Sequence, residues 1–204
     1  MLTLAIQAGG ESSRMGSDKA LLTFLGQPLI LRLLNRLAWI ADEILVTSNQ
    51  PEHYRFLGLT PVADLVPGVG ALGGLYTALS AAAHPFVAVV ACDMPFASPE
   101  LFLAELALLR ETGADAVVPR LEQGLETFHA VYRAETCLPH VRKAVEAGLK
   151  RADAWFPEVN TRYLTAGEIH PFDPDSLAFM NINTPEELKL AEDLAKEETG
   201  KLGI

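Results

Sequence analysis

Residues 2–19 read Leu2-Thr3-Leu4-Ala5-Ile6-Gln7-Ala8-Gly9-Gly10-Glu11-Ser12-Ser13-Arg14-Met15-Gly16-Ser17-Asp18-Lys19. The apolar run Leu2 to Ile6 suits a buried strand, and it runs into two glycines followed by one arginine and one lysine. Gly9 and Gly10 carry no side chain to block a ligand, so backbone N–H groups there can face phosphate oxygens. Arg14 adds a planar fork of donors and Lys19 a point charge, the two cation types that phosphate recognition uses. A nucleoside triphosphate fits this pattern. An ordinary glycine-containing βα turn with two solvated cations fits it as well, so the rest of the chain has to choose.

Outward from that stretch, short apolar runs recur at Ile44–Thr47, Phe86–Ala91 and Ala116–Val118. Segments with helical spacing lie between them, at 28–39, 72–83 and 101–109. Strands alternating with helices predict βαβ units and a mostly parallel sheet. Ser98-Pro99-Glu100 offers an N-cap residue, a proline at the first helical position and an acid in the first turn. Thr184-Pro185-Glu186-Glu187 repeats this and completes a capping box, opening a last helix expected to run to about Glu198 before a frayed tail, 199–204. A weak alternation covers Glu126 to Tyr132, and a helix is expected from Ala134 to Glu146. Residues 150–175 are the least periodic, with one strand expected near Val159–Leu164.

Bulk properties narrow the function. A chain of 204 residues is expected to form one domain, burying roughly 70% of its unfolded surface without a disulfide or metal. Two cysteines, Cys92 and Cys137, with no CxxC pair and no histidine cluster beside them, argue for a reducing, cytoplasmic setting and against structural zinc. The net charge of −10 argues against nucleic-acid and membrane-surface partners. It also means that an anionic substrate needs local cations or a metal. No basic n-region opens the chain, and no apolar stretch approaches the 18 or more residues of a membrane span.

Gly68-Val69-Gly70-Ala71-Leu72-Gly73 matches GxGxxG, and Asp93 follows 20 residues after Gly73. Its context does not suit a dinucleotide fold: Ala63-Asp64-Leu65-Val66-Pro67 is a poor strand, and Met94-Pro95 follows the acid at once. A tight turn feeding a helix near a ligand is the better reading. Asp93 itself follows an apolar strand and would emerge at the carboxyl rim, where ligands of open α/β sheets bind. There it could hold Mg²⁺ through oxygen and water ligands, or simply cap the turn before Pro95. Asn49 and Asp64 also fall at strand ends, where turn or capping roles suffice. Asn181 and Asn183 flank Ile182 and in an extended segment would point to one side, two amides able to grip a polar ligand. His129 reads either as a core or surface histidine or as a ligand contact.

Taken together these segments resemble the molybdenum cofactor guanylyltransferase family, the MobA-type enzymes of the nucleotidyltransferase superfamily, over nearly the whole chain. AGGESSRMGSDKALL (8–22) with Gly26-Gln27-Pro28-Leu29 resembles the nucleotide loop, and Gly70-Ala71-Leu72-Gly73-Gly74-Leu75 the second glycine turn. Ala91-Cys92-Asp93-Met94-Pro95-Phe96 is similar to the metal-binding segment, and Phe179 to Leu188 to the closing motif. The resemblance implies a three-layer, Rossmann-like α/β fold with a mostly parallel central sheet. It implies one domain over 1–204, with 1–100 mainly binding nucleotide and 101–204 mainly the acceptor.

It further implies GTP contacts from Gln7, Ala8, Gly9, Lys19, Asn49, Asp64 and Asp93, with Mg²⁺ on Asp93. Arg14 and Gly16 would belong to the phosphate loop, Arg14, Lys19 and Asp93 would be the catalytic groups, and Asn181 and Asn183 would lie towards the acceptor. The implied reaction is GMP transfer from GTP to molybdenum-molybdopterin, with transient contact to proteins that deliver or insert the cofactor. Gly9-Gly10, rather than the Ala-Gly typical of cytidylyl relatives, favours guanine. Three departures from the family's usual pattern stand out: Gln7 for Leu, Ala71 for Pro, and Thr127-Phe128 for Pro-Leu. CMP transfer to the same pterin, another small-molecule nucleotidyl transfer, or a catalytically silent GTP sensor are the alternatives.

Overall fold

The computed structural model describes residues 1–8 and 19–201. In chain order the elements are β1 (Leu2–Gln7), a hairpin of β2 (Thr23–Phe24) and β3 (Gln27–Pro28), α1 (Leu29–Leu37), β4 (Glu43–Thr47), α2 (Ala71–Ala81), β5 (Phe86–Ala91), α3 (Pro99–Thr112), β6 (Ala116–Leu121), β7 (Gly124–Leu125), β8 (His129–Arg133), α4 (Ala134–Glu146), β9 (Thr161–Leu164), α5 (Ala166–Ile169) and α6 (Pro185–Lys201). The main sheet runs β4-β1-β5-β8-β6-β7, with β9 also paired to β6. β1 pairs parallel with β4 and β5, and β6 pairs parallel with β9. β8 lies antiparallel between β5 and β6. The reason is length: residues 122–128 between β6 and β8 are too few for the crossover that a parallel return needs.

Every residue of β1 is buried, because the sheet is covered on both faces. Leu2, Leu4 and Ile6 pack with Ile30, Leu33 and Leu37 of α1 and with Leu101, Phe102 and Leu106 of α3. Ala5 faces the other way, towards Leu72 and Leu75 of α2 and Val141 of α4. Three layers result, helices on both sides of a mostly parallel sheet. Each aliphatic side chain so buried contributes about 2 kcal/mol. A third cluster, Phe24, Leu29, Phe96, Ile182, Ala191 and Ala195, fastens the hairpin and α6 to the rim of the sheet.

Helix starts follow the expected chemistry. The Ser98 hydroxyl accepts from the Leu101 amide at 3.2 Å, ahead of Pro99. In the capping box, Thr184 Oγ1 accepts from the Glu187 amide at 3.1 Å while Glu187 Oε2 accepts from the Thr184 amide at 2.9 Å. Three features differ from the sequence reading or add to it. The last helix continues through Lys201 rather than fraying after 198. Residues 150–175 hold, besides β9, the short helix α5, opened by a Thr165–Glu168 capping box. Residues 23–28 form a hairpin, with positive φ at Leu25 and Gly26 as a tight two-residue turn requires.

Candidate active site

β1, β4 and β5 end on one rim: Gln7 stands opposite both Thr47 and Ala91. The sheet hydrogen bonding extends one residue further, Ala8 N–H to the Thr47 carbonyl at 2.9 Å and Cys92 N–H to the Gln7 carbonyl at 3.0 Å. Residues that follow these strands are therefore delivered to the same edge. Asp93 arrives from β5. Lys19 arrives from a single 3-10 turn, Lys19–Leu21, after the glycine-rich segment.

The two meet there, and a third residue joins them. Lys19 Nζ donates to Asp93 Oδ2 at 2.8 Å and to Asn183 Oδ1 at 2.7 Å, bridging chain positions 164 residues apart. The side chains of Lys19 and Asp93 retain 21% and 15% exposure, enough for a ligand to reach a charge that is largely desolvated. The closing segment is pinned to this point by its backbone, since Ile182 N–H donates to the Asp93 carbonyl at 2.9 Å. The two asparagines part ways. Asn183 contacts Lys19, whereas Asn181 turns its amide onto the Phe179 carbonyl at 3.0 Å.

Asn49 and Asp64 form a second polar group on the rim, beyond β4. Asn49 Nδ2 donates to Asp64 Oδ2 at 2.8 Å, and the Asp64 amide donates back to Asn49 Oδ1 at 3.0 Å. A bridge between Thr47 and Val62 aligns the two segments. Two inter-strand spacings, about 10 Å, separate the end of β4 from that of β5. Ala8 is buried; its N–H serves the sheet and its carbonyl accepts from the Tyr54 hydroxyl at 3.2 Å. Gly9, Gly10, Arg14 and Gly16 lie outside the described residues.

Gln7 is 7% exposed and lies against α2. A Cβ at Gly74 would stand 2.7 Å from Gln7 Oε1, so the glycine is what lets this side chain fit. The Gln7 Nε2 is buried without a hydrogen-bond partner among the described residues. The second glycine turn does feed a helix: Gly68 and Gly70 have φ of +80° and +70°, and α2 begins directly after them. No strand closes on the GxGxxG segment, which rules out a dinucleotide fingerprint.

His129 proves to be a core histidine. Its ring is fully buried, stacked on Phe102 with centroids 3.9 Å apart and edge-on to Phe179. Nε2 accepts from the Ser98 amide at 3.1 Å, and Nδ1 lies 3.2 Å from Glu105 Oε1. Burial pulls the imidazole down to about 3 and pushes the Glu105 carboxyl well above its ordinary value. Glu105 was missed from sequence, although an acid at the i+3 position from Phe102 on an apolar helix stripe is a visible signal. Arg32 and Arg36 of α1 were missed too. Arg32 Nε donates to the Pro95 carbonyl at 2.8 Å, Arg36 Nε to the Ala97 carbonyl at 3.3 Å, and both arginines pair with Glu198.

No group of three or more His, Cys, Asp or Glu side chains among the described residues could cage a metal by itself. Asp93 alone suits a hard cation that keeps its waters and shares a substrate's phosphate oxygens.

Residues 4–160 match the family model described as a MobA-like NTP transferase domain. A probable molybdenum cofactor guanylyltransferase of Pelotomaculum thermopropionicum is 35% identical, covering 99% of this chain and 98% of its own. One from Natronomonas pharaonis is 36% identical, over 93% and 96% respectively. The crystal structure of molybdopterin-guanine dinucleotide biosynthesis protein A from Archaeoglobus fulgidus superposes with a TM-score of 0.84 at 25% identity, covering 96% of this chain and 99% of that one. The family model over residues 4–160, together with near-full-length similarity to these proteins, identifies the chain as a member of the MobA-like NTP transferase family.

Proposed function

We propose that this protein transfers GMP from GTP to molybdenum-bearing molybdopterin, forming molybdopterin guanine dinucleotide and pyrophosphate. The observation that carries the reading is the shared ammonium of Lys19, which ties the first strand's loop, the Asp93 turn and the closing segment to one point. In the reaction, an oxygen of the pterin's terminal phosphate attacks the α-phosphorus of GTP. A new P–O bond forms, the α–β bridge breaks, and the electron pair leaves on pyrophosphate. The attacking oxygen is already anionic, so alignment and charge neutralisation are what the protein must supply.

An ammonium has three N–H donors. Two of those on Lys19 serve Asp93 and Asn183, and the third serves a phosphate oxygen of the triphosphate. Asp93 would hold Mg²⁺, which when bound neutralises phosphate charge and favours in-line displacement. Asn49 and Asp64 lie at the distance along the rim where the base and ribose would extend, Gln7 and Ala8 lie at the strand end between, and a GTP contact from Gly9 is part of the proposal. On this reading Arg14 and Gly16 would complete the phosphate loop. Asn183, joined to Lys19, faces the junction of nucleotide and acceptor, with Asn181 on the acceptor side. One sheet runs through both halves of the chain, which supports a single domain with nucleotide mainly on 1–100 and acceptor mainly on 101–204.

On this reading the reaction takes place in the cytoplasm, with transient contacts to cofactor-delivery or cofactor-insertion proteins. Among the described residues no helix is long and apolar enough to cross a membrane. The test is pyrophosphate release from GTP, CTP and ATP with Mg²⁺ and molybdenum-bearing molybdopterin. GTP should exceed CTP at least tenfold in kcat/KM; a preference for CTP would overturn the guanylyl assignment, and nucleotide binding without release would leave a sensor.

A further inference from the structure

The Asp93–Ser98 segment leaves the sheet at Ala91, turns through Met94 N–H to the Ala91 carbonyl and Ala97 N–H to the Met94 carbonyl, and enters α3 at its N-cap. Among the described residues, its backbone is held from outside at four points. Ile182 N–H binds the Asp93 carbonyl, Arg32 the Pro95 carbonyl, Arg36 the Ala97 carbonyl, and His129 Nε2 the Ser98 amide. The grips by the two arginines come from partly exposed side chains, whereas the hydrogen bond from Ser98 to His129 is buried.

Chemistry explains why the last grip needs a histidine. The Ser98 amide precedes the first helical turn and has no intrahelical acceptor. An aromatic hydrocarbon could fill the space over Phe102 but could not accept that proton. Because Nε2 accepts, Nδ1 must carry the ring hydrogen, and Glu105 Oε1 at 3.2 Å receives it. Glu105 thus fixes the tautomer. The arrangement is costly for stability: both side chains are fully buried, and Glu105 Oε2 has no partner among the described residues. An orphaned polar atom in such a place costs about 1–3 kcal/mol. Nothing in the packing of the apolar core requires that cost.

We infer that Glu105 and His129 are positioning residues of the transfer reaction: the imidazole anchors the far end of the Asp93–Ser98 turn and thereby sets the orientation in which the Asp93 carboxylate meets the metal–triphosphate complex. This rests on the function proposed above for the rim. His129 and Glu105 touch neither substrate; they act through Ser98 and the turn.

The decisive variant is His129→Phe/Glu105→Leu. It keeps a ring on Phe102 and replaces the polar pair by apolar groups of similar size; it removes the orphaned Glu105 oxygen but leaves the Ser98 amide without an acceptor, at a cost of about 1–3 kcal/mol. Expected at temperatures well below its unfolding midpoint are at least tenfold faster hydrogen exchange of the Ser98 amide, and at least a tenfold lower kcat. The Mg²⁺ concentration for half-maximal activity should rise at least fivefold, with the KM for GTP within twofold. His129→Gln, whose carbonyl can accept from Ser98, should recover at least half the wild-type kcat.

Should the double variant not fold, the single changes at 105 decide: Glu105→Gln keeps the acceptor and should retain kcat, while Glu105→Leu should lower it at least fivefold. A folded double variant, or Glu105→Leu alone, with wild-type kcat and Mg²⁺ dependence would overturn the positioning role. Absence of GTP-dependent pyrophosphate release from the wild-type protein would instead overturn the reaction on which that role rests.

Discussion

Replacing Glu105 by Gln should change the acid stability of this protein in a defined window. His129 is buried and neutral, its imidazole lowered from 6.5 to about 3 by burial. A group so depressed stabilises the fold fully above its unfolded value, and that stability is lost as pH falls from about 6.5 towards 3. The slope is about 1.4 kcal/mol per pH unit, or about 5 kcal/mol over the whole fall. Glu105 has the opposite sign. Its carboxyl is raised well above 4.5 by burial, so its contribution is full below 4.5 and is lost as pH rises towards its folded value.

Above 4.5, acidification therefore costs stability at His129 and returns it at Glu105, and the two act in opposite directions. Tyr132, whose hydroxyl is raised by burial and feels Glu105, titrates far above this window. Glu105→Gln keeps an oxygen for the Nδ1 hydrogen and removes the compensating titration. Relative to wild type, the variant should lose stability more steeply as pH falls from 6.5 towards 4.5, because the His129 loss is no longer opposed by Glu105. Urea unfolding midpoints measured for both proteins at half-unit pH steps would read this, because every other titration cancels in the difference. Parallel curves would refute the neutral, offsetting pair.

Other outcomes follow from single contacts. Gly74→Ala would place a Cβ 2.7 Å from Gln7 Oε1 and should destabilise by about 1–3 kcal/mol in thermal unfolding, with most of the loss recovered when Gln7→Ala is added. Lys19→Met keeps the stem of the side chain but removes its charge. It should lower kcat/KM for GTP about 100-fold, about 3 kcal/mol of transition-state stabilisation, while the circular dichroism spectrum is retained. Thr184→Ala breaks one hydrogen bond of the capping box and should cost about 1 kcal/mol in chemical denaturation.

Much of the site was legible because strand ends carry it. An apolar run followed by Asp93, and another followed by glycines and Lys19, place those residues on one rim once the sheet is parallel, and the pattern of runs and helices made it so. The capping box at Thr184 likewise needs only residues three apart. The remainder depended on tertiary packing. The antiparallel insertion of β8 followed from a short connection that the weak alternation from Glu126 did not expose. The two asparagines looked equivalent in an extended segment. They differ because Ile182 pairs with the Asp93 backbone and leaves Asn183 to Lys19 while Asn181 folds onto Phe179. Helix α5 is only four residues long, below the reach of hydrophobic periodicity. Arg32 and Arg36 carry no site signal in the sequence, and only the fold shows that they hold carbonyls of the Asp93 turn.

The most direct measurement is single-turnover GMP transfer from GTP to molybdenum-bearing molybdopterin, comparing wild type with Asp93→Asn at saturating Mg²⁺. The variant preserves the shape of the side chain and removes its charge. Its rate should fall at least a thousandfold, about 4 kcal/mol, with an unchanged far-ultraviolet dichroism spectrum. Wild-type turnover by Asp93→Asn would show that the chemistry happens somewhere other than the rim where Lys19, Asp93 and Asn183 meet.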